Sequence, residues 1–117
     1  MNVNFDCIFY YVSDLQRAIA FYGEVLGLKL CSRDVVARFE LDGVSIELVP
    51  AQRKTQMGGT ANARLCLRVD DIQAAIAGLR AKGVAASAAQ PKQHGLLAAV
   101  HDPDGNEICL WQDVAPT

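Results

Sequence analysis

Val12-Ser13-Asp14-Leu15-Gln16-Arg17-Ala18-Ile19-Ala20 returns 57 residues later as Val69-Asp70-Asp71-Ile72-Gln73-Ala74-Ala75-Ile76-Ala77, with six of nine positions identical. Asp42-Gly43-Val44-Ser45-Ile46-Glu47-Leu48 returns at an offset of 62 as Asp104-Gly105-Asn106-Glu107-Ile108-Cys109-Leu110, with four of seven identical. Repetition at this length marks two copies of one supersecondary module. A cleft between such copies is lined by equivalent positions of both, so the repeat directs the search for chemistry.

Outward from these stretches, residues 5–12 are aromatic and β-branched enough for a strand. Ser13 or Asp14 supplies an N-cap. Leu15, Ala18, Ile19, Tyr22, Val25 and Leu26 then recur at helical spacing until Gly27 closes the helix. Residues 28–32, 35–41 and 44–49 read as three strands, the last two joined by the hairpin signal Asp42-Gly43. In the second copy, 63–69 is a strand, Asp71 caps a helix carrying Ile72, Ala75, Ile76 and Leu79, and Gly83 ends it. Strands at 84–87, 96–101 and 107–112 follow, the last two joined by the turn Asp102-Pro103-Asp104-Gly105. Each copy is therefore βαβββ. The expected fold class is α+β: two βαβββ modules in tandem, forming a curled mixed sheet around a cleft. One domain over 1–117 is expected, with module one at about 1–50, a connector at 51–61 and module two at about 62–117. The connector and the polar stretch 88–95 read as loops, either spacers or lids.

With 117 residues, of which 51% are hydrophobic, the chain has enough for one core and too little for two independent domains. A net charge of −2 with both signs scattered carries no footprint for nucleic acid. No apolar run approaches the roughly 18–20 residues that span a bilayer, and residues 1–6 lack the pattern of a signal peptide. A cytoplasmic protein without membrane or nucleic-acid partners is expected. Cys7, Cys31, Cys66 and Cys109 form no Cys-x-x-Cys pair, which argues against a zinc knuckle and reads as small buried thiols.

The strand followed by Val-x-Asp-Leu-x-x-Ala-x-x-Phe-Tyr-x-x-Val-Leu-Gly, with Asp-Pro-Asp-Gly-Asn-x-Ile near the end, resembles the vicinal oxygen chelate superfamily of glyoxalases, bleomycin-resistance proteins and dioxygenases. The resemblance implies paired modules, usually in a homodimer, but no single activity. In metal-dependent members it implies four ligand positions, one on the first and one on the last strand of each module, commonly His or Gln, Glu, His and Glu. Here the first lies seven residues before the capping Asp14 and is Cys7; its counterpart before Asp71 is Arg64. The last-strand positions are Glu47 and Cys109. A guanidinium has no free lone pair and opposes a divalent ion beside it. Cys7, Glu47 and Cys109 alone can in principle hold zinc, whereas Mg²⁺, Mn²⁺ or Fe²⁺ would find one hard ligand. No metal and no other cofactor is therefore expected, with Cys7, Glu47, Arg64 and Cys109 as vestigial ligand positions. His94 and His101 fall at neither ligand position.

Strand alternation puts Cys7, Phe9, Tyr11, Arg64, Cys66 and Arg68 on the cleft side, with Ser45, Glu47, Val49, Glu107, Cys109 and Trp111. Phe9 and Trp111 serve equally as ligand contacts or subunit-interface residues. Glu47 and Arg64 are expected to pair in the vacated metal position. Whether Arg38 or Phe39 lies opposite Glu47 depends on the loop at Asp42-Gly43. The expected function is metal-independent small-molecule binding of the bleomycin-resistance kind, sequestering a drug or metabolite. Its ligand-binding residues would be Cys7, Phe9, Tyr11, Arg64, Arg68, Cys109 and Trp111, and an anionic or aromatic ligand is favoured. One alternative is a diverged lyase or isomerase using Glu47 as catalytic base or a noncanonical metal site. The other is a structural dimer with a vestigial cleft.

Overall fold

Asp14 and Asp71 open the two helices in the same way. In the computed structural model, which describes residues 1–2, 6–53 and 64–115, each aspartate is extended and its carboxylate accepts a backbone hydrogen bond three residues on. The donors are Arg17 and Ala74, both at 3.1 Å. Each cap satisfies an N–H that a helix start otherwise leaves without a partner.

The chain divides into two compact units, Met1–Gly58 and Gly59–Thr117. The first contains β1 (Ile8–Val12), α1 (Leu15–Ala20), a π-helical stretch (Phe21–Val25), β2 (Lys29–Arg33), β3 (Ala37–Leu41) and β4 (Val44–Pro50). The second contains β5 (Leu65–Arg68), α2 (Ile72–Ala81), β6 (Gln90–Lys92), β7 (Gly95–His101) and β8 (Glu107–Asp113). Each unit is a βαβββ module around a four-stranded mixed sheet, ordered β1-β4-β3-β2 in one and β5-β8-β7-β6 in the other, and neither sheet closes on itself. The outer strands β1 and β5 run parallel to β4 and β8, and the other pairs are antiparallel. Most of the expected connector, from residue 54 to 61, and the expected strand residues Phe5 and Ala63 lie outside the described residues.

The repeat extends to the hydrogen-bond register. Ile8 pairs with Ile46, and shifting them by 57 and 62 gives Leu65 and Ile108, which pair as well. In the first unit Val12, Tyr22, Phe39, Ile46 and Leu48 are fully buried. Tyr22 packs between the rings of Tyr10 and Phe39, each 6.2 Å from its own. The spacing predicted one uninterrupted helix to Leu26, but the helix widens: the Leu26 N–H bonds to the Phe21 carbonyl at 3.0 Å. Within this widened turn the neighbours Phe21 and Tyr22 are both buried. In the second unit Ile72, Ile76 and Leu79 of α2 lie over a core made by Ala98, Val100, Ile108 and Leu110.

Two expectations are corrected in the second unit. Residues 84–87 do not form a strand; Ala86 makes one isolated bridge to Val100. The Arg80 guanidinium takes the Ala86 carbonyl at 2.9 Å, and Ser87 exchanges backbone and hydroxyl hydrogen bonds with Ala99 instead. The edge strand is β6, inside the stretch read as a loop. Pro91, which has no N–H to give, is tolerated there because an edge strand needs donors on one side alone. The turn residues behave as expected: Asp42 and Gly43 both take positive φ, 51° and 79°, as a two-residue hairpin of mirror-image type requires. No helix among the described residues is long and apolar enough to cross a membrane.

Candidate functional site

The face of each sheet turned away from its helix carries the side chains expected to line a site. On the first, Phe9 and Arg38 flank Glu47 on the two neighbouring strands, which settles the register left open at Asp42-Gly43. Phe39 instead pairs with Ile46 and is fully buried. The Cys7 thiol donates to Glu47 Oε2 at 3.4 Å. Partial burial and that carboxylate together push the Cys7 thiol up from its usual value of 9.0, so it is a neutral donor near pH 7. Arg38 Nε donates to Ser45 Oγ at 2.7 Å. Phe9, 49% exposed, meets Tyr11 edge to face with centroids 5.4 Å apart.

On the second sheet the equivalent positions gather differently. Arg64 forms an ion pair with Glu107 of its own unit. The register explains this. Leu65 lies beside Ile108, so the preceding residues Arg64 and Glu107 are neighbours on one face. His101 pairs with Glu107 across β7 and β8, its Nε2 3.9 Å from the carboxylate. Cys66, on the outer strand β5, sits directly opposite Cys109 on β8. Burial first, then Cys66 and Glu107, push the Cys109 thiol up; Arg64 acts in the opposite direction and is outweighed, because Glu107 already engages it. Beyond them Trp111 donates its indole N–H to Asp113 at 2.7 Å, and Arg68 lies 3.7 Å from the same carboxylate. The Trp111 ring covers Gly95, where a Cβ would fall inside the ring. A hollow of about 260 Å³ at the β6–β7 turn, lined by Pro91, Lys92, His94 and Leu96 among others, holds none of the expected site residues.

The structure thus joins Cys7 to Glu47 in one unit and sets Cys109 beside Cys66, with Arg64 on Glu107, in the other. Two contributors, Asp113 and Gly95, went unread in the sequence. Asp113 follows from the same alternation that gave Trp111, carried two residues further, and Arg38 is one of the two candidates the sequence left open beside Glu47. Glu107 as the partner of Arg64 follows from applying both repeat offsets together. Gly95 had no local signal, since its role depends on the ring folded over it.

These residues do not fit the divalent ion that the family's metal-dependent members use. Of the four ligand positions one is an arginine already bound to a carboxylate, and two are thiols held protonated, whereas ligation needs the thiolate. Among the described residues no three histidines, cysteines or acids stand close enough to hold a metal.

A profile of the Glyoxalase/Bleomycin resistance protein/Dioxygenase superfamily matches residues 4–110. A protein of Vibrio parahaemolyticus named probable lactoylglutathione lyase is 33% identical, over 87% of this chain and 85% of its own. The antibiotic-binding protein TnmS3 of Streptomyces sp. CB03234 superimposes with a TM-score of 0.75 at 28% identity, covering 97% of this chain and 100% of its own. The fosfomycin resistance protein FosX of Mesorhizobium loti shares the fold, with a TM-score of 0.76 at 13% identity over 97% and 95% of the two chains.

Proposed function

The chain belongs to the glyoxalase/bleomycin resistance protein/dioxygenase superfamily, and from that premise we propose that it is a metal-independent small-molecule binding protein that sequesters a drug or metabolite. The observation that carries this reading is the donor set at the four ligand positions. Arg64 is an ion-paired cation where a ligand would stand, and the Cys7 thiol donates a hydrogen bond to the one remaining carboxylate, Glu47. What the faces offer instead are aromatic surfaces, Phe9 with Tyr11 and Trp111 over Gly95, each beside polar groups that orient a ligand.

Charge narrows the ligand class. Arg64 and Arg68 favour anions, but Glu107 and Asp113 answer them on the same face. A planar aromatic ligand, neutral or bearing one carboxylate, suits that balance better than a polycation. We place it in a cytoplasmic homodimer, with the half-exposed Phe9 at the ligand or subunit contact. Calorimetry of the chelator-treated protein against aromatic antibiotics and aromatic carboxylates tests this. Saturable binding is expected, weakened about tenfold or more for carboxylates by Arg68→Ala. An empty panel would refute it and favour a structural dimer.

One observation favours a second reading, a glyoxalase-type lyase or isomerase. Glu47 is half-buried and accepts a hydrogen bond, as a base waiting for a substrate proton does, and the Vibrio relative is named for such an activity. Formation of lactoylglutathione by the purified protein, abolished by Glu47→Gln, would establish it in place of the first.

A further inference from the structure

Cys66 and Cys109 are register partners on adjacent parallel strands. Residues so placed share a face, and neighbouring strands lie about 4.8 Å apart. That spacing falls within the range of roughly 4.4–6.8 Å over which two Cα atoms can be bridged by a disulfide. Both are free thiols, Cys66 exposed and Cys109 half-buried. They are close enough that Cys66 is the largest influence on Cys109 after burial. The equivalent positions of the first unit are Phe9 and Glu47, so the pair is not a by-product of the repeat. Nor do the other two cysteines offer the same geometry. Cys7 precedes β1 and Cys31 lies on β2, at opposite edges of one sheet.

We propose that Cys66 and Cys109 form a reversible dithiol–disulfide centre whose oxidant is a small disulfide of the glutathione class. The exposed Cys66, as thiolate, attacks one sulfur of the small disulfide. A Cys66 mixed disulfide forms, and one small thiolate leaves and takes up the proton Cys66 lost. Cys109 then gives up its proton, attacks the Cys66 sulfur and expels the second small thiolate, which is protonated in turn. One disulfide is reduced to two thiols while two protein thiols are oxidised to one disulfide, so electrons and protons balance. Burial raises the Cys109 thiol, but its fixed proximity offsets that, and the thiolate of a weaker acid is the stronger nucleophile. Bridging two strands that are already hydrogen-bonded strains the link, and strained disulfides are the readily reduced ones.

Incubation of the purified full chain with oxidised glutathione, followed by thiol counting and mass spectrometry of a non-reduced tryptic digest, tests the centre. The titratable thiols are expected to fall from four to two. A link should join the peptide 65–68 to the peptide 93–117, and dithiothreitol should restore both. Cys7→Ser combined with Cys31→Ser should leave the link intact, while Cys109→Ser should stop at glutathione on Cys66. Wild-type protein that keeps four thiols, halts at glutathionylated Cys66, or links Cys66 or Cys109 to any other cysteine would overturn the proposal.

Discussion

A thiol held protonated by its surroundings binds its proton more tightly folded than unfolded. For Cys7 the cause is partial burial and the Glu47 carboxylate; for Cys109 it is burial and then Cys66. The stability this contributes is fully present below the unfolded value of 9.0 and is lost as pH rises through the higher folded value. Urea unfolding midpoints should therefore fall as pH rises beyond 9.0, and the fall should shrink in a Cys7→Ser, Cys109→Ser double variant. An equal fall in both proteins would contradict it. The exposed Cys31 and Cys66 should also be alkylated before Cys7 and Cys109 at neutral pH. Gly95 makes a prediction of another kind. A Cβ there collides with the Trp111 ring, so Gly95→Ala should displace the indole from Asp113 and cost about 1–3 kcal/mol, the usual penalty of overpacking. The emission of Trp111, the sole tryptophan, should shift accordingly.

At the scale of elements, the final turn is held by one side chain. Asp102, 5% exposed, accepts hydrogen bonds from the Asp104 and Asn106 N–H groups at 2.9 and 2.8 Å and from the Asn106 amide at 2.8 Å. Asp102→Ala strands these donors in a half-buried turn that feeds β8, and about 2–4 kcal/mol of stability should go with them. Asp71→Ala should cost nearer 1 kcal/mol, because a cap serves one exposed N–H. Thermal melts of the two variants check the order. What could be read from sequence follows the same division. The caps, the turns at Asp42-Gly43 and Gly105 and the strand alternation were legible because each rests on a local requirement of one or two residues. The π-helical stretch at Phe21 and the edge strand at Gln90 were not. The first answers to the sheet beneath it, and the second follows residues 86–87, which reach β7 only through one isolated bridge and the Ser87–Ala99 hydrogen bonds.

For the whole molecule, duplication explains both what the sequence disclosed and what it withheld. Two offsets, 57 and 62, carry one unit's register onto the other, and this made the fold recoverable and matched each candidate position to its counterpart. Partner choice at those positions was not. Glu47 and Arg64 read as a pair because the family brings their positions together, while Arg64 engages Glu107, its neighbour across β5 and β8. An exposed cation at a strand end takes the acid its own sheet supplies, since reaching further costs side-chain entropy for no added charge. The same substitution removes the third metal ligand, so binding without a metal is the property on which the functional reading stands. The most direct measurement is the quenching of Trp111 fluorescence by aromatic ligands, titrated in chelator and again with added Zn²⁺, Mn²⁺ or Mg²⁺. Metal-independent sequestration predicts a saturable quench with the same dissociation constant in every buffer; a quench that appears or tightens about tenfold or more with one of the metals would contradict it.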